Sequence, residues 1–199
     1  MDFTYTKDKI TIEKELNALD NFVIEFTQIL NKVGIKYVVI SGYIAILFGR
    51  SRTSEDIDMF VEHMPFATFE RLWEELSAKF ECIITGDVHE AYHYYLSANH
   101  ALRFAYKDEF IPNMEIKFPK VELDNWSLKN KRLVFLNGHE LFTSPLELQI
   151  VYKLFMASDK DIEDARHLYL VFKDNLDRAQ LEAFKAKFKI GKEFDKYLK

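Results

Sequence analysis

Asp56-Ile57-Asp58 sets two carboxylates two residues apart. On a strand that spacing puts both on one face and turns Ile57 to the other. Paired carboxylates suit a hard divalent cation, because Mg²⁺ takes oxygen ligands, commonly one or two carboxylates plus substrate phosphates. The residues just upstream fit those phosphates. An apolar, β-branched run from Tyr37 to Ile40 breaks at Ser41-Gly42 and resumes from Tyr43 to Phe48. Gly42 would let a phosphate approach the backbone at a helix start, where free N–H groups favour an anion. Asp-x-Asp alone is a common surface pattern. The glycine turn, the helix and the Arg52-Thr53-Ser54 lead-in at this spacing give it weight.

The rest of the chain supplies elements to hold this stretch. A strand over 36–41 and another over 56–62 flank the motif helix. Residues 11–33 place Leu16, Leu19, Val23, Phe26, Ile29, Leu30 and Val33 at helical spacing, closed by Gly34. Pro65 precedes a second amphipathic helix carrying Phe66, Phe69, Leu72, Trp73 and Leu76, followed by a strand over 81–85. His89 and His93 stand at i and i+4, a spacing that can bind metal, but with no third ligand in view the surface reading is preferred. Leu102 to Tyr106 alternates as a strand, as does 113–118, where Met114, Ile116 and Phe118 take one face and Glu115 and Lys117 the other. Asn137-Gly138 marks a hairpin, at which the mixed sheet is expected to end. Ser144-Pro145-Leu146-Glu147 reads as a capping box with proline at the first helical position. In that helix Lys153 shares a side with Gln149 and Ala157, at the edge of the apolar stripe, where its stem can be buried and its charge presented to a cleft. Helices over 159–172 and 177–188 complete a C-terminal module. The predicted division is 1–142 for the core and 143–199 for the helical module.

A strand, a small-residue turn, a helix and then Arg-x-Ser-x-Asp-x-Asp resembles the nucleotidyltransferase superfamily related to DNA polymerase β. Gly42-Tyr43-Ile44-Ala45, Gly49 and Arg52-Thr53-Ser54-Glu55-Asp56-Ile57-Asp58 are most similar to its AbiEii-like branch. The best-known members of that branch are toxins of bacterial toxin–antitoxin and phage-defence systems. The family turn is usually Gly-Gly or Gly-Ser; Ser41-Gly42 departs from it, with a hydroxyl that can still donate to a phosphate. Ser144-Pro145, Tyr152-Lys153-Leu154, Ala157 and Lys160-Asp161-Ile162-Glu163-Asp164 resemble the branch in the second half.

The resemblance implies an α/β (α+β) fold, a small mixed sheet with a C-terminal helical bundle, and transfer of a nucleoside monophosphate from an NTP. Asp56, Asp58 and, from its own strand, Glu115 would hold Mg²⁺ or Mn²⁺. Ser41 and Gly42 would cradle phosphates, with Arg52, Ser54 and Lys153 stabilising charge and Asp161 in the nucleotide site. Two alternatives stay open. Glu115 also fits an ordinary outward-facing residue of an alternating strand. Asp161 and Asp164 also fit acids favoured in a helix's first turn by the macrodipole, which for Asp164 is the preferred account. The acceptor could be RNA, tRNA, a protein hydroxyl or a small molecule, and an antitoxin protein could be a partner. A fold that binds NTP or a partner without turnover and an aminoglycoside-type transferase are the competing functions.

Composition bounds the rest. With 199 residues, 48% of them hydrophobic, the chain has ample core for one large domain or a core plus a small module. A net charge of −5 gives no overall basic field to recruit nucleic acid, so any RNA contact must be local. One such patch is the C-terminal run of Lys185, Lys187, Lys189, Lys192, Lys196 and Lys199 interleaved with Phe184, Phe188, Phe194 and Tyr197, which packing onto the bundle explains equally well. Cys82 is the only cysteine, so disulfides and cysteine metal sites within one chain are excluded. No apolar run reaches membrane-spanning length, and the charged N-terminal residues lack a signal-peptide core, which predicts a cytoplasmic protein.

Overall fold

The computed structural model describes residues 2–6 and 8–198. Their strands form one nine-stranded mixed sheet in the order β1 (Asp2–Tyr5), β2 (Lys9–Glu13), β8 (Arg132–Leu136), β9 (His139–Thr143), β3 (Tyr37–Ile40), β4 (Asp56–Val61), β7 (Asn113–Lys117), β6 (Leu102–Tyr106) and β5 (Phe80–Cys82). β3 is central because Tyr37, Val38 and Val39 are all buried, the pattern of a strand covered on both faces. β4 alternates instead. Ile57, Met59 and Val61 enter the core, leaving Asp56, Asp58 and Phe60 on the opposite face. Antiparallel pairing with β3 sets Asp58 opposite Ile40, and parallel pairing with β7 sets it opposite Glu115.

The helices are α1 (Ala18–Val33), α2 (Gly42–Leu47), α3 (Phe66–Leu76), α4 (Val88–Glu90) running into a π-helical turn at Ala91–Leu96, α5 (Glu122–Lys129), α6 (Leu146–Met156), α7 (Asp159–Phe172), α8 (Arg178–Phe188) and α9 (Gly191–Leu198). α1 starts later than its apolar spacing predicts. Residues 11–13 belong to β2, where Ile10 and Ile12 are buried on one face, and the helix begins only where Asn17 and Asp20 exchange capping hydrogen bonds. Buried Asp20 also accepts from Lys14 at 2.9 Å and from Tyr43 at 2.8 Å, which ties the start of α1 to α2.

Three further expectations need correction. The Asn137-Gly138 turn does join a hairpin, with φ of 47° and 82°, but the sheet does not end there. The hairpin is inserted between β2 and β3, and the sheet edges are β1 and β5. Ser144 and Glu147 do not form the capping box. Both are buried and drawn elsewhere: Ser144 accepts a hydrogen bond from Ser127 at 2.9 Å, and Glu147 accepts the N–H of Asp177 at 2.7 Å. Finally, α5 and α9 go beyond the expected elements, and β5 is shorter than residues 81–85 and begins one residue earlier.

The aromatic residues of the C-terminal run pack, with Phe184 against Trp126 at 5.0 Å and Phe194 against Tyr169 at 5.3 Å between ring centres. Lys185 is buried beside them, Lys187, Lys189, Lys192 and Lys196 are exposed, and Lys199 lies outside the described residues. His89 and His93 are exposed and stack on each other and on Phe66, the surface reading. Among the described residues no helix is long and apolar enough to cross a membrane.

Candidate active site

β3 gives way to Ser41, the residue before α2, whose backbone takes φ 65° and ψ −137°, a region that favours glycine. Its N–H donates to Oε1 of Gln149 on α6 at 3.1 Å, the first link between the motif turn and the C-terminal helices. At Gly42 the guanidinium of Arg52 occupies the place a Cβ would take, so glycine is required for the arginine to lie against the turn. α2 is only six residues long. Anion attraction at this turn therefore rests chiefly on charged side chains.

Those charges meet on α7. Asp164 is fully buried and receives Arg50, Nε of Arg52 at 3.1 Å and Nζ of Lys153 at 2.7 Å. This corrects the helix-dipole account of Asp164, because a carboxylate with no solvent contact and three cationic partners is placed by those ion pairs. Lys153 is 4% exposed and also reaches Asp161 at 3.3 Å. Asp161 is fixed in turn by the Ser158 hydroxyl at the start of α7. Counting Arg50, Arg52 and Lys153 against Asp161 and Asp164, this pole carries one net positive charge.

The second pole is β4. Asp56 is exposed and Asp58 half-buried, and the Ser54 hydroxyl donates to the backbone carbonyl of Asp56 at 3.0 Å, shaping the approach to the strand. Glu115 lies in register beside Asp58, but its carboxylate is already engaged. Nε and Nη2 of Arg103 reach one oxygen at 3.0 and 2.9 Å, and Nζ of Lys117 reaches the other at 3.3 Å while also bonding Oδ1 of Asp58 at 3.1 Å. Burial pushes the Glu115 carboxyl up, yet Arg103 and Lys117 outweigh it and leave it below the usual carboxylate range. Burial likewise lowers Lys117, and the two carboxylates more than reverse that, so its ammonium is held above its ordinary range.

Both poles open on a cavity of about 470 Å³ lined by Ser41, Gly42, Arg52, Ser54, Asp56, Asp58, Lys117, Lys153 and Asp161 among others. Every sequence-predicted site residue lines this cavity except Glu115, which sits in register beside Asp58 and shares Lys117 with it but is not on the wall. Gln149, Tyr152 and Lys117 join them. Lys117 carried a legible signal, since it shares a strand face with Glu115. Arg50 carried none beyond lying next to Gly49.

The Asp56 and Asp58 oxygens suit Mg²⁺ or Mn²⁺, hard ions that phosphate oxygens can co-ligate. Among the described residues no three His, Cys, Asp or Glu side chains stand together as a metal-holding group.

No protein-family model and no curated protein matches the sequence. Solved structures match in fold. An antigenic nucleotidyltransferase-like protein from Paracoccidioides brasiliensis superposes with a TM-score of 0.54 at 17% identity, over 89% of this chain and 90% of that one. The fold is nucleotidyltransferase-like. The antibiotic-resistance factor ANT(2'')-Ia is similar at a TM-score of 0.51 and 12% identity, over 87% of this chain and 93% of its own. What is shared across such distant sequences is the fold.

Proposed function

We propose that the protein is a metal-dependent nucleotidyltransferase, moving a nucleoside monophosphate from an NTP to an acceptor and releasing pyrophosphate. The observation that carries this reading is the lining of one cavity of about 470 Å³, which holds both Arg52 and Lys153, gathered on Asp164, and the carboxylates Asp56 and Asp58. A triphosphate lies along the cationic wall, with Ser41 and Gly42 beneath it. Tyr152 and Met156, both exposed and lining the cavity, offer an apolar face to the base.

Asp56 and Asp58 would hold Mg²⁺ or Mn²⁺, which supplies charge neutralisation to the phosphates. The acceptor hydroxyl attacks the α-phosphorus as the bond to the bridging oxygen breaks and pyrophosphate leaves. Its proton passes to solvent by way of Asp56, the exposed member of the pair. Lys153 and Arg52 stabilise the charge that builds on the departing phosphates, and Asp164 holds both in place.

The acceptor we favour is an RNA or tRNA end or a protein hydroxyl, and the resemblance of both halves of the sequence to the AbiEii-like branch makes the protein a candidate toxin with an antitoxin protein as its partner. The test is incubation with each labelled NTP, Mg²⁺ and total RNA. Label should become covalently attached, and the Asp56→Asn, Asp58→Asn double variant should attach none. Tight NTP binding without transfer to RNA, protein or an aminoglycoside would identify a binding protein instead.

A further inference from the structure

The carboxylate pole already contains a cation. Across three strands the register aligns Asp58 on β4, Glu115 on β7 and Arg103 on β6, and the next site-facing pair is Phe60 and Lys117. Lys117 follows Glu115 by two residues, so its ammonium swings back between the two acids, 3.1 Å from Oδ1 of Asp58 and 3.3 Å from Oε1 of Glu115, with its Nζ 5.8 Å from the centre of the Phe60 ring. Two acids and two bases make this group electrically balanced as it stands.

We propose that Lys117 is a resident cation of the site: its ammonium takes the position between Asp58 and Glu115, so the centre loads one divalent ion, on Asp56 and Asp58, rather than two. This rests on the transferase reading above and adds how the site is charged. The strand pairing that aligns the three residues is part of the central sheet, so Glu115 cannot turn toward Asp56 without leaving Arg103. An ion entering between Asp58 and Glu115 would meet the ammonium at contact distance. No hydrogen bond among the described residues uses Oδ2 of Asp58, which leaves that oxygen for an ion shared with Asp56. Lys117 lines the cavity, so the same ammonium faces the space where the acceptor oxygen arrives. A fixed monovalent charge there would orient the acceptor while adding less pull on its proton than a second dication.

The experiment is equilibrium dialysis of the full chain with Mn²⁺ and a non-hydrolysable nucleoside triphosphate, measuring the ratio of Mn²⁺ to nucleotide retained. Wild type should retain one ion per nucleotide, and Lys117→Met, which removes the charge and keeps an apolar stem against Phe60, should retain two. Lys117→Gln should also give two, and serves if the methionine variant melts early. A ratio of two in the wild type, or of one in a folded Lys117 variant, overturns the proposal while leaving nucleotidyl transfer standing. Failure of any variant and of wild type to retain nucleotide would overturn the transferase reading itself, and this inference with it.

Discussion

Ser41 is where local rules and the site disagree. A non-glycine residue at φ 65° and ψ −137° stores strain on the order of 1–3 kcal/mol, and strain of this kind gathers at functional turns. Ser41→Gly should therefore raise stability by about 1 kcal/mol, some 2–4 °C in melting temperature for a chain this size. It should also weaken NTP binding by about 0.5–1.5 kcal/mol if the hydroxyl donates to a phosphate. Calorimetry on one protein sample reads both, and unchanged nucleotide affinity would remove the hydroxyl from the site. Lys153 shows what sequence could and could not give. Its helical side, shared with Gln149, follows from spacing, and both residues line the cavity. Its burial does not follow, because lysines are mostly exposed and its partner Asp164 is eleven residues on. Spacing alone suggests that Lys153→Ala would leave stability untouched. The ion pair with fully buried Asp164 predicts a loss of about 1–3 kcal/mol, moderated because Arg50 and Arg52 remain, alongside NTP binding weaker by a similar amount.

Among the elements, α7 is the one that locks the two ends of the cleft together. Asp164 receives cations from the loop after α2 and from α6, while His167 bonds the Phe48 carbonyl at 2.9 Å and Phe172 meets the Phe48 ring at 4.7 Å. Asp164→Asn leaves three cations around a neutral side chain. It should cost about 3 kcal/mol in urea denaturation, the low end for an opened buried pair since the arginines keep some solvent access. A loss well under 1 kcal/mol would show that the cations repack at no consequence. The boundaries of α7 were readable because Ser158 is a true cap and acids fill the first turn. α6 was located for a reason the structure replaces. Proline at the start was informative, whereas Ser144 and Glu147 were committed to α5 and to the start of α8, partners that no local pattern reveals. α5 is not legible in the sequence because its eight residues carry three large apolar side chains, Leu123, Trp126 and Leu128, too few for a helical periodicity.

At the scale of the whole molecule, three phenols report on the core. Burial first, then Asp20, holds Tyr43 far above its ordinary range, and burial pushes both Tyr37 and Tyr106 up to about 12. Unfolded tyrosines ionise near 10, so above that pH the unfolded chain loses protons that the native chain keeps. The contribution of these phenols to stability is then flat below about pH 10 and falls as pH rises toward 12, by about 1.4 kcal/mol per pH unit for each fully buried phenol. Alkaline unfolding followed by phenolate absorbance should be cooperative in that window. Tyr43→Phe should move its midpoint upward while lowering stability at neutral pH. The sheet order was the least legible feature, because β-strand propensity says nothing of partners. Ile10 and Ile12 alternate over too few residues to declare β2, and nothing near them announces β8 as a neighbour. That pairing dictates a schedule for synthesis. On a ribosome adding about 5–20 residues per second, β2 emerges and then waits roughly 6–24 s before β8 is even made. During that interval its second edge has no native partner, so the nascent N-terminal hairpin is the segment a chaperone would have to shield.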